Sequence, residues 1–365
     1  MKKLKKIKFN VLALMLAVIM MMLTACDGAA TPESSGKDVP NTANEETKTD
    51  GSTAAVDSGE ITYPLTLKVG YSTSADDPRG VVLEKFKKTV EEKTNGDILV
   101  EIHPGGELGS DDELIAGIIG KKVDMTVSSA GNYAVYATRV GVSALPFLFD
   151  DFDSAWKFID SETIQAVDDD LEEYNIHVLA YFDNGFRCVT TSESVGPVET
   201  VDDMKGLNIR TPDNQIVMET MSELEAMPKS FPFADLKPAL KDGTFDAQEN
   251  PIPVIYNNKL YEEQKYLSVT NHSYDAMPLT IRSDIWNSLS DEYRQIIGDA
   301  AKAAEKEDRE LVKKQTEEYV SNLEKEGMVV VHPDLEPFKE KTENVMTVFA
   351  DLYDEKLIQF VKNNT

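Results

Sequence analysis

Asp203-Met204-Lys205-Gly206-Leu207-Asn208-Ile209-Arg210-Thr211-Pro212 is the stretch around which the chain is organised. Gly206 closes a turn, Leu207 and Ile209 alternate with polar residues as a short strand does, and Pro212 ends the pairing. Arg210 therefore stands at a strand's end, just before Asp213 and Asn214 open a helical pattern. A guanidinium is a planar fork that can hold a carboxylate through two parallel hydrogen bonds. Alone, such an Arg reads as half of a surface ion pair, common and weak. Its neighbours in sequence change that reading.

Asn184-Gly185-Phe186-Arg187 lies upstream, and Ala239-Leu240-Lys241-Asp242-Gly243-Thr244-Phe245-Asp246-Ala247-Gln248-Glu249-Asn250-Pro251 lies downstream. Tyr261 to His272 follows, and Leu145-Pro146-Phe147-Leu148-Phe149 precedes them all. From about Leu65 to Phe338 this ordered set resembles the DctP-type solute-binding proteins of TRAP (tripartite ATP-independent periplasmic) transporters, extracytoplasmic receptors that capture organic acids. The resemblance implies that Arg210, ending Lys-Gly-Leu-x-x-Arg, is the main carboxylate-binding residue. It implies that Arg187, in Asn-Gly-x-Arg, is a second basic contact, the alternative being an interior brace. Asn250, in Gln-Glu-Asn-Pro, offers both donor and acceptor, or is part of a turn with Pro251. Phe233 fits the aromatic that covers the ligand, or a core residue. Ser72 and Asp111 match positions that reach polar ligand groups from the other lobe, though both types also cap helices.

The chain departs from the family at three places. Ala247 stands where the family usually has Gly. Asp77-Pro78-Arg79 replaces the His-Pro of many relatives, so Arg79 either takes a second carboxylate or is a solvated helix residue. Ser129 and Asn132 align where the sialic-acid branch has an acid and an Arg. Uncharged groups there suit hydroxyls, so the expected ligand is a sugar acid such as a uronate or aldonate, with a C4-dicarboxylate as runner-up.

The N-terminus reads as a secretory leader. Met1 to Lys8 is basic, and the thirteen residues from Val11 to Leu23 are unbroken apolar, too short for the ~20 that a membrane span needs. Leu23-Thr24-Ala25-Cys26 looks like a bacterial lipobox, which implies a signal peptide at 1–25 and lipid on Cys26. Residues 26–60 are Ser, Thr, Gly, Ala, Asp and Glu with almost no large apolar side chain. Such a segment cannot bury enough surface to fold, and it reads as a flexible tether. Net charge is −28, and loss of the five leader lysines takes it to −33. That balance argues against nucleic acid as a partner. It also means that an anionic ligand must be captured by local cations against the global field. Cys26 and Cys188 are the only cysteines, so with Cys26 lipidated no internal disulfide forms.

The remaining ~305 residues suggest two lobes. Leu65 to Tyr71 alternates as a first strand, and Asp77-Pro78 opens a helix to about Lys93. Ile98 to Ile102 reads as a second strand, Ser110 to Glu113 as a capping box, and Val123 to Val127 as a third strand. This is a parallel α/β unit. A second α/β set starts near Asn184, with helices near 213–224 and 233–241. Asp291 to about Lys325 has no Pro and reads as one very long helix. The fold class is thus α/β, two-lobed and periplasmic-binding-protein-like, with a hinge and a lobe-spanning helix. By resemblance lobe I is 61–184 plus 276–315, and lobe II is 185–275 plus 316–365.

No Gly-x-Ser-x-Gly, phosphate loop or metal-spaced His pair occurs, so neither an enzyme nor a cofactor is expected. The partners implied are a small organic acid, the small and large integral membrane subunits of a TRAP transporter, and the membrane through the lipid; the receptor is expected to be a monomer on the outer face of the cytoplasmic membrane. A ligand receptor for a signalling system would share the cleft. An ABC-type binding lipoprotein would share the lipobox but lack this motif order.

Overall fold

A computed structural model describes residues 62–350 and 352–363. The expected signal segment at 1–25, the tether at 26–60 and Cys26 lie outside the described residues. β1 (Leu65–Gly70) buries Leu67 and Val69 on one face. α1 (Pro78–Lys93) begins at Pro78 as expected, with the Asp77 side chain accepting from the Arg79 N–H. β2 (Ile98–His103) pairs parallel with β1. α2 (Asp111–Ile119) carries the expected capping box of Ser110 and Glu113. β3 (Met125–Val127) completes the parallel set by pairing with β1. Two short helices follow, α3 (Phe152–Ile159) and α4 (Glu162–Asp168).

The second half brings β4 (Ile176–Thr191), β5 (Asn208–Thr211), α5 (Gln215–Glu223), β6 (Met227–Ser230), α6 (Leu236–Lys241), β7 (Ala247–Pro251) and α7 (Ile252–Asn257). Then come β8 (Tyr266–Arg282), α8 (Asp291–Lys325), β9 (Val329–Val331), α9 (Glu336–Ala350) and α10 (Glu355–Asn363). All the strands join one sheet in the order β2-β1-β3-β8-β4-β7-β5-β6, with β9 beside β8. At its middle, β4 and β8 run antiparallel from Ile176↔Arg282 to Thr191↔Tyr266, with register shifts at 178/180, 183/185 and 187/189. Sequence patterning predicts parallel α/β units, and the flanking strands obey it. The central ribbon does not, because its strands are buried on both faces and carry no alternation to read.

α8 matches the expected long helix at both ends, and its 35 residues span roughly 50 Å. Ile297, Ala300, Ala301 and Ala304 pack with Leu67, Val69 and Leu83 of the β1–β3 half. Leu323 packs with Leu236 and Leu240 of the β5–β7 half, so one rigid rod bears on both cores. The C-terminal helices also straddle the expected lobe boundary. Phe338 joins Met204, Leu207 and Ile209. Val345, Leu357 and Val361 instead join Phe158 and Leu171. The apolar side chains of α9 and α10 are thus shared between these two clusters.

Candidate functional site

Arg210 is the third residue of β5, in register with Lys229 on one side and Gln248 on the other. Its side chain is only 3% exposed. Nε and Nη2 both donate to the Phe231 carbonyl, at 2.8 and 2.5 Å, and the guanidinium lies 5.8 Å from the Phe233 ring centroid. Among the described residues no carboxylate comes within the 4.0 Å of an ion pair. Burial pushes its pKa down to about 10, against the pull of Glu249. A neutral carbonyl aims the fork but does not cancel its charge, and a desolvated cation without a counter-ion is costly.

The other two arginines are in the opposite condition. Arg187, in β4, donates from Nε to Glu249 Oε2 at 2.5 Å, from Nη2 to Glu249 Oε1 at 2.9 Å and from Nη1 to Asp275 Oδ2 at 2.5 Å. Arg79, at the start of α1, donates from Nε to Asp77 at 2.8 Å and from Nη2 to Asn184 Oδ1 at 2.6 Å. At 2% exposure Arg79 is not the solvated residue that one sequence reading allowed; Asp77 caps the helix and neutralises it together. Asn250 accepts from Arg187 Nη2 at 3.4 Å and donates to Gln248 at 2.5 Å.

Asp111 opens α2. Burial raises its pKa, while Arg79 and the Ser72 hydroxyl that follows β1 act to lower it, and its Oδ1 is buried without a hydrogen-bond partner. Next to it Asp112 accepts from Asn132 Nδ2 at 2.8 Å, and burial pushes its pKa up to about 6. A cavity of about 230 Å³ lies between Asp111 and Asp112 on one wall and Arg210, Phe231 and Phe233 on the other. A narrower recess of about 30 Å³ continues inward, and Ser72, Arg79, Asp111, Arg187, Arg210, Phe233 and Asn250 all line it. The seven residues singled out in the sequence thus meet in one place.

Sequence reasoning missed Asp275 and Asn184. Asp275 gathers Ser129 Oγ at 2.6 Å, Asn184 Nδ2 at 2.8 Å and Arg187 Nη1 at 2.5 Å. One acid among 65 Asp and Glu carries no local signal. Asn184 had one, its place beside Gly185. That glycine has φ +99°, in the left-handed region, and an added Cβ would lie 3.4 Å from Val312.

A two-lobed α/β fold around a buried, uncancelled cation defines a receptor for small anionic solutes. The model for bacterial extracellular solute-binding protein, family 7 (DctP), matches residues 69–352, and the chain belongs to that family. The chain is 33% identical over 265 residues, 73% of this chain and 80% of the relative, to the 2,3-diketo-L-gulonate-binding periplasmic protein YiaO of Escherichia coli. A TRAP periplasmic solute-binding protein from Polaromonas, bound to D-erythronate, superposes with a TM-score of 0.78 at 30% identity, over 81% of this chain and 98% of that one. The sugar-acid-binding protein DctPAm of Advenella mimigardefordensis, in complex with galactonate, gives 0.79 at 26% identity over 84% and 100%. This chain is accordingly an extracytoplasmic solute-binding receptor of the TRAP type, not an enzyme, and the family match sets aside the ABC-type alternative.

Proposed function

We propose that this receptor captures a sugar acid, with an aldonate or uronate as its ligand class, and that Arg210 holds the carboxylate. The single observation behind this is the buried Arg210 guanidinium with no carboxylate partner, facing a cavity. Asp111, Ser72 and Asn250 take the hydroxyls and Phe233 covers the ligand. Arg187 and Arg79 hold the acceptors in place, since each already has its own carboxylate. A ligand that touches Arg210 on one side and Asp111 on the other favours the closed arrangement by its differential affinity. The two bodies that close are 61–184 with 276–315 and 185–275 with 316–365, less the C-terminal turns that straddle them. The closed receptor, a monomer, then docks on the small and large integral membrane subunits. A thermal-shift screen over aldonates, uronates, C4-dicarboxylates and 2-oxo acids tests the ligand class. Stabilisation by sugar acids is the expected result, and a response confined to 2-oxo acids would refute it.

Lipid on Cys26 would keep the receptor at the outer face of the membrane, supported by Leu23-Thr24-Ala25-Cys26 behind a short apolar core. Cell fractionation of Cys26→Ser tests this. Release of the variant is expected, and unchanged membrane retention with unchanged processing would contradict it.

A further inference from the structure

The wall of the cleft opposite Arg210 is anionic. Asp111 and Asp112 line the larger cavity from the start of α2, Asp213 lines it from the turn three residues after Arg210, and among the described residues Arg210 is the one cation in that lining. The Asp213 charge acts on Asp112, which burial and its neighbours already hold in the protonation-prone range. The positive end of α2 does not offset this, because its first turn is already occupied by the carboxylates of Asp111, Asp112 and Glu113. Two acceptors on this wall also wait for donors. Asp111 Oδ1 and Asn132 Oδ1 are buried and have no hydrogen-bond partner, a state that is costly unless a ligand supplies an O–H or N–H.

We propose that the cleft admits one carboxylate only, and that Asp112, with Asp213, rejects a second one at the far end of the ligand while Asp111 and Asn132 accept hydroxyls there. The inference rests on the sugar-acid reading above and narrows it to monocarboxylates with a hydroxylated tail. A carboxylate has acceptor oxygens only, so at this wall it would satisfy neither orphaned oxygen and would crowd the buried carboxyls of Asp111 and Asp112. It cannot turn inward instead. The inner recess holds only about 30 Å³, and its cations Arg79 and Arg187 are paired with Asp77, Glu249 and Asp275. A terminal hydroxyl donates to either orphan and forms a charge-assisted bond to a carboxylate.

Galactonate and galactarate test this directly, because they differ only in a terminal CH₂OH exchanged for a carboxylate. Erythronate and meso-tartrate form the matching four-carbon pair. Calorimetric titration of the full chain at pH 7.5 should give the monoacid of at least one pair an affinity at least about thirtyfold above its diacid, since like-charge juxtaposition costs several kcal/mol and ~1.4 kcal/mol is tenfold. In Asp112→Asn/Asp213→Asn the gap should shrink to a few-fold through tighter diacid binding. In the parent it should also shrink as salt rises. A diacid that binds the parent within threefold of its monoacid overturns the single-carboxylate wall and leaves the sugar-acid reading standing. A gap unchanged in the double variant overturns the roles given to Asp112 and Asp213. If none of the four acids binds, the sugar-acid reading itself fails and takes this inference with it.

Discussion

Arg187 and Glu249 grip each other by two prongs, Nε to Oε2 at 2.5 Å and Nη2 to Oε1 at 2.9 Å, with both side chains buried. Burial alone would raise the Glu249 pKa, but the Arg187 charge and the bonds from His272 and Arg187 hold it at about 2. The pair is the counterpart of the lone Arg210. One guanidinium is spent on structure, and the other is left for the ligand.

Glu249→Gln should therefore act on stability. Removing one partner of a buried ion pair strands the other and costs about 3–5 kcal/mol; the remaining bond from Arg187 to Asp275 places this case at the lower end. Denaturant unfolding should show a clear fall in midpoint with the slope preserved. An unmoved midpoint would mean that the pair adds nothing net to the folded state.

Much of this arrangement was legible in the sequence, and the limits have physical causes. The α1 and α2 starts could be read because Pro78 and the Ser110–Glu113 box are local chemistry. The 35-residue α8 could be read because nothing in Asp291–Lys325 breaks a helix. Arg210 stood out because Gly206 and Pro212 frame it. What Arg187 does could not be read, since its partners Glu249 and Asp275 lie 62 and 88 residues away. The same holds for Arg79, whose burial depends on Asn184, 105 residues on. The β4–β8 ribbon was hidden because its residues are buried on both faces and show no period.

The pH dependence of stability should carry the mark of Asp168. Tyr181 Oη donates to it at 2.5 Å, and burial, with Tyr181 opposing, pushes its pKa up to about 7. A carboxyl raised in this way stabilises the fold fully below its unfolded pKa of ~3.9, and that contribution is lost as pH rises through the folded value. Asp183, pushed up to about 6 by burial, adds in the same sense. Stability should fall from pH 5 to pH 8. Asp168→Asn should flatten that slope and gain at least about 1 kcal/mol at pH 8 relative to the parent. Parallel pH profiles for the two proteins would rule out a raised pKa at Asp168.

Closure should pivot where the β4–β8 ribbon loses register, near Asp183 and Gly185. There the Asp183 N–H donates to Asp308 Oδ2 on α8 at 2.6 Å, and the Gly185 N–H donates to Asp183 Oδ1 at 2.6 Å. Small-angle scattering should show a smaller radius of gyration on addition of a ligand found by the thermal screen. Gly185→Ala forces a side chain into the left-handed region and should lower the melting temperature by several degrees. An unchanged radius at saturating ligand would count against closure.

The most direct measurement is calorimetric titration of Arg210→Lys beside the parent, with galactonate or whichever sugar acid binds best. Lysine keeps the charge and loses the fork. The account predicts that most of a ~3–5 kcal/mol contribution disappears, roughly two to three and a half decades in affinity. Thermal stability without ligand should stay level or fall slightly, because lysine keeps the uncancelled buried charge and cannot reproduce the paired donation to the Phe231 carbonyl. Binding within a few-fold of the parent, or a neutral amide of the ligand binding as well as the acid, would contradict the claim that Arg210 is the carboxylate anchor.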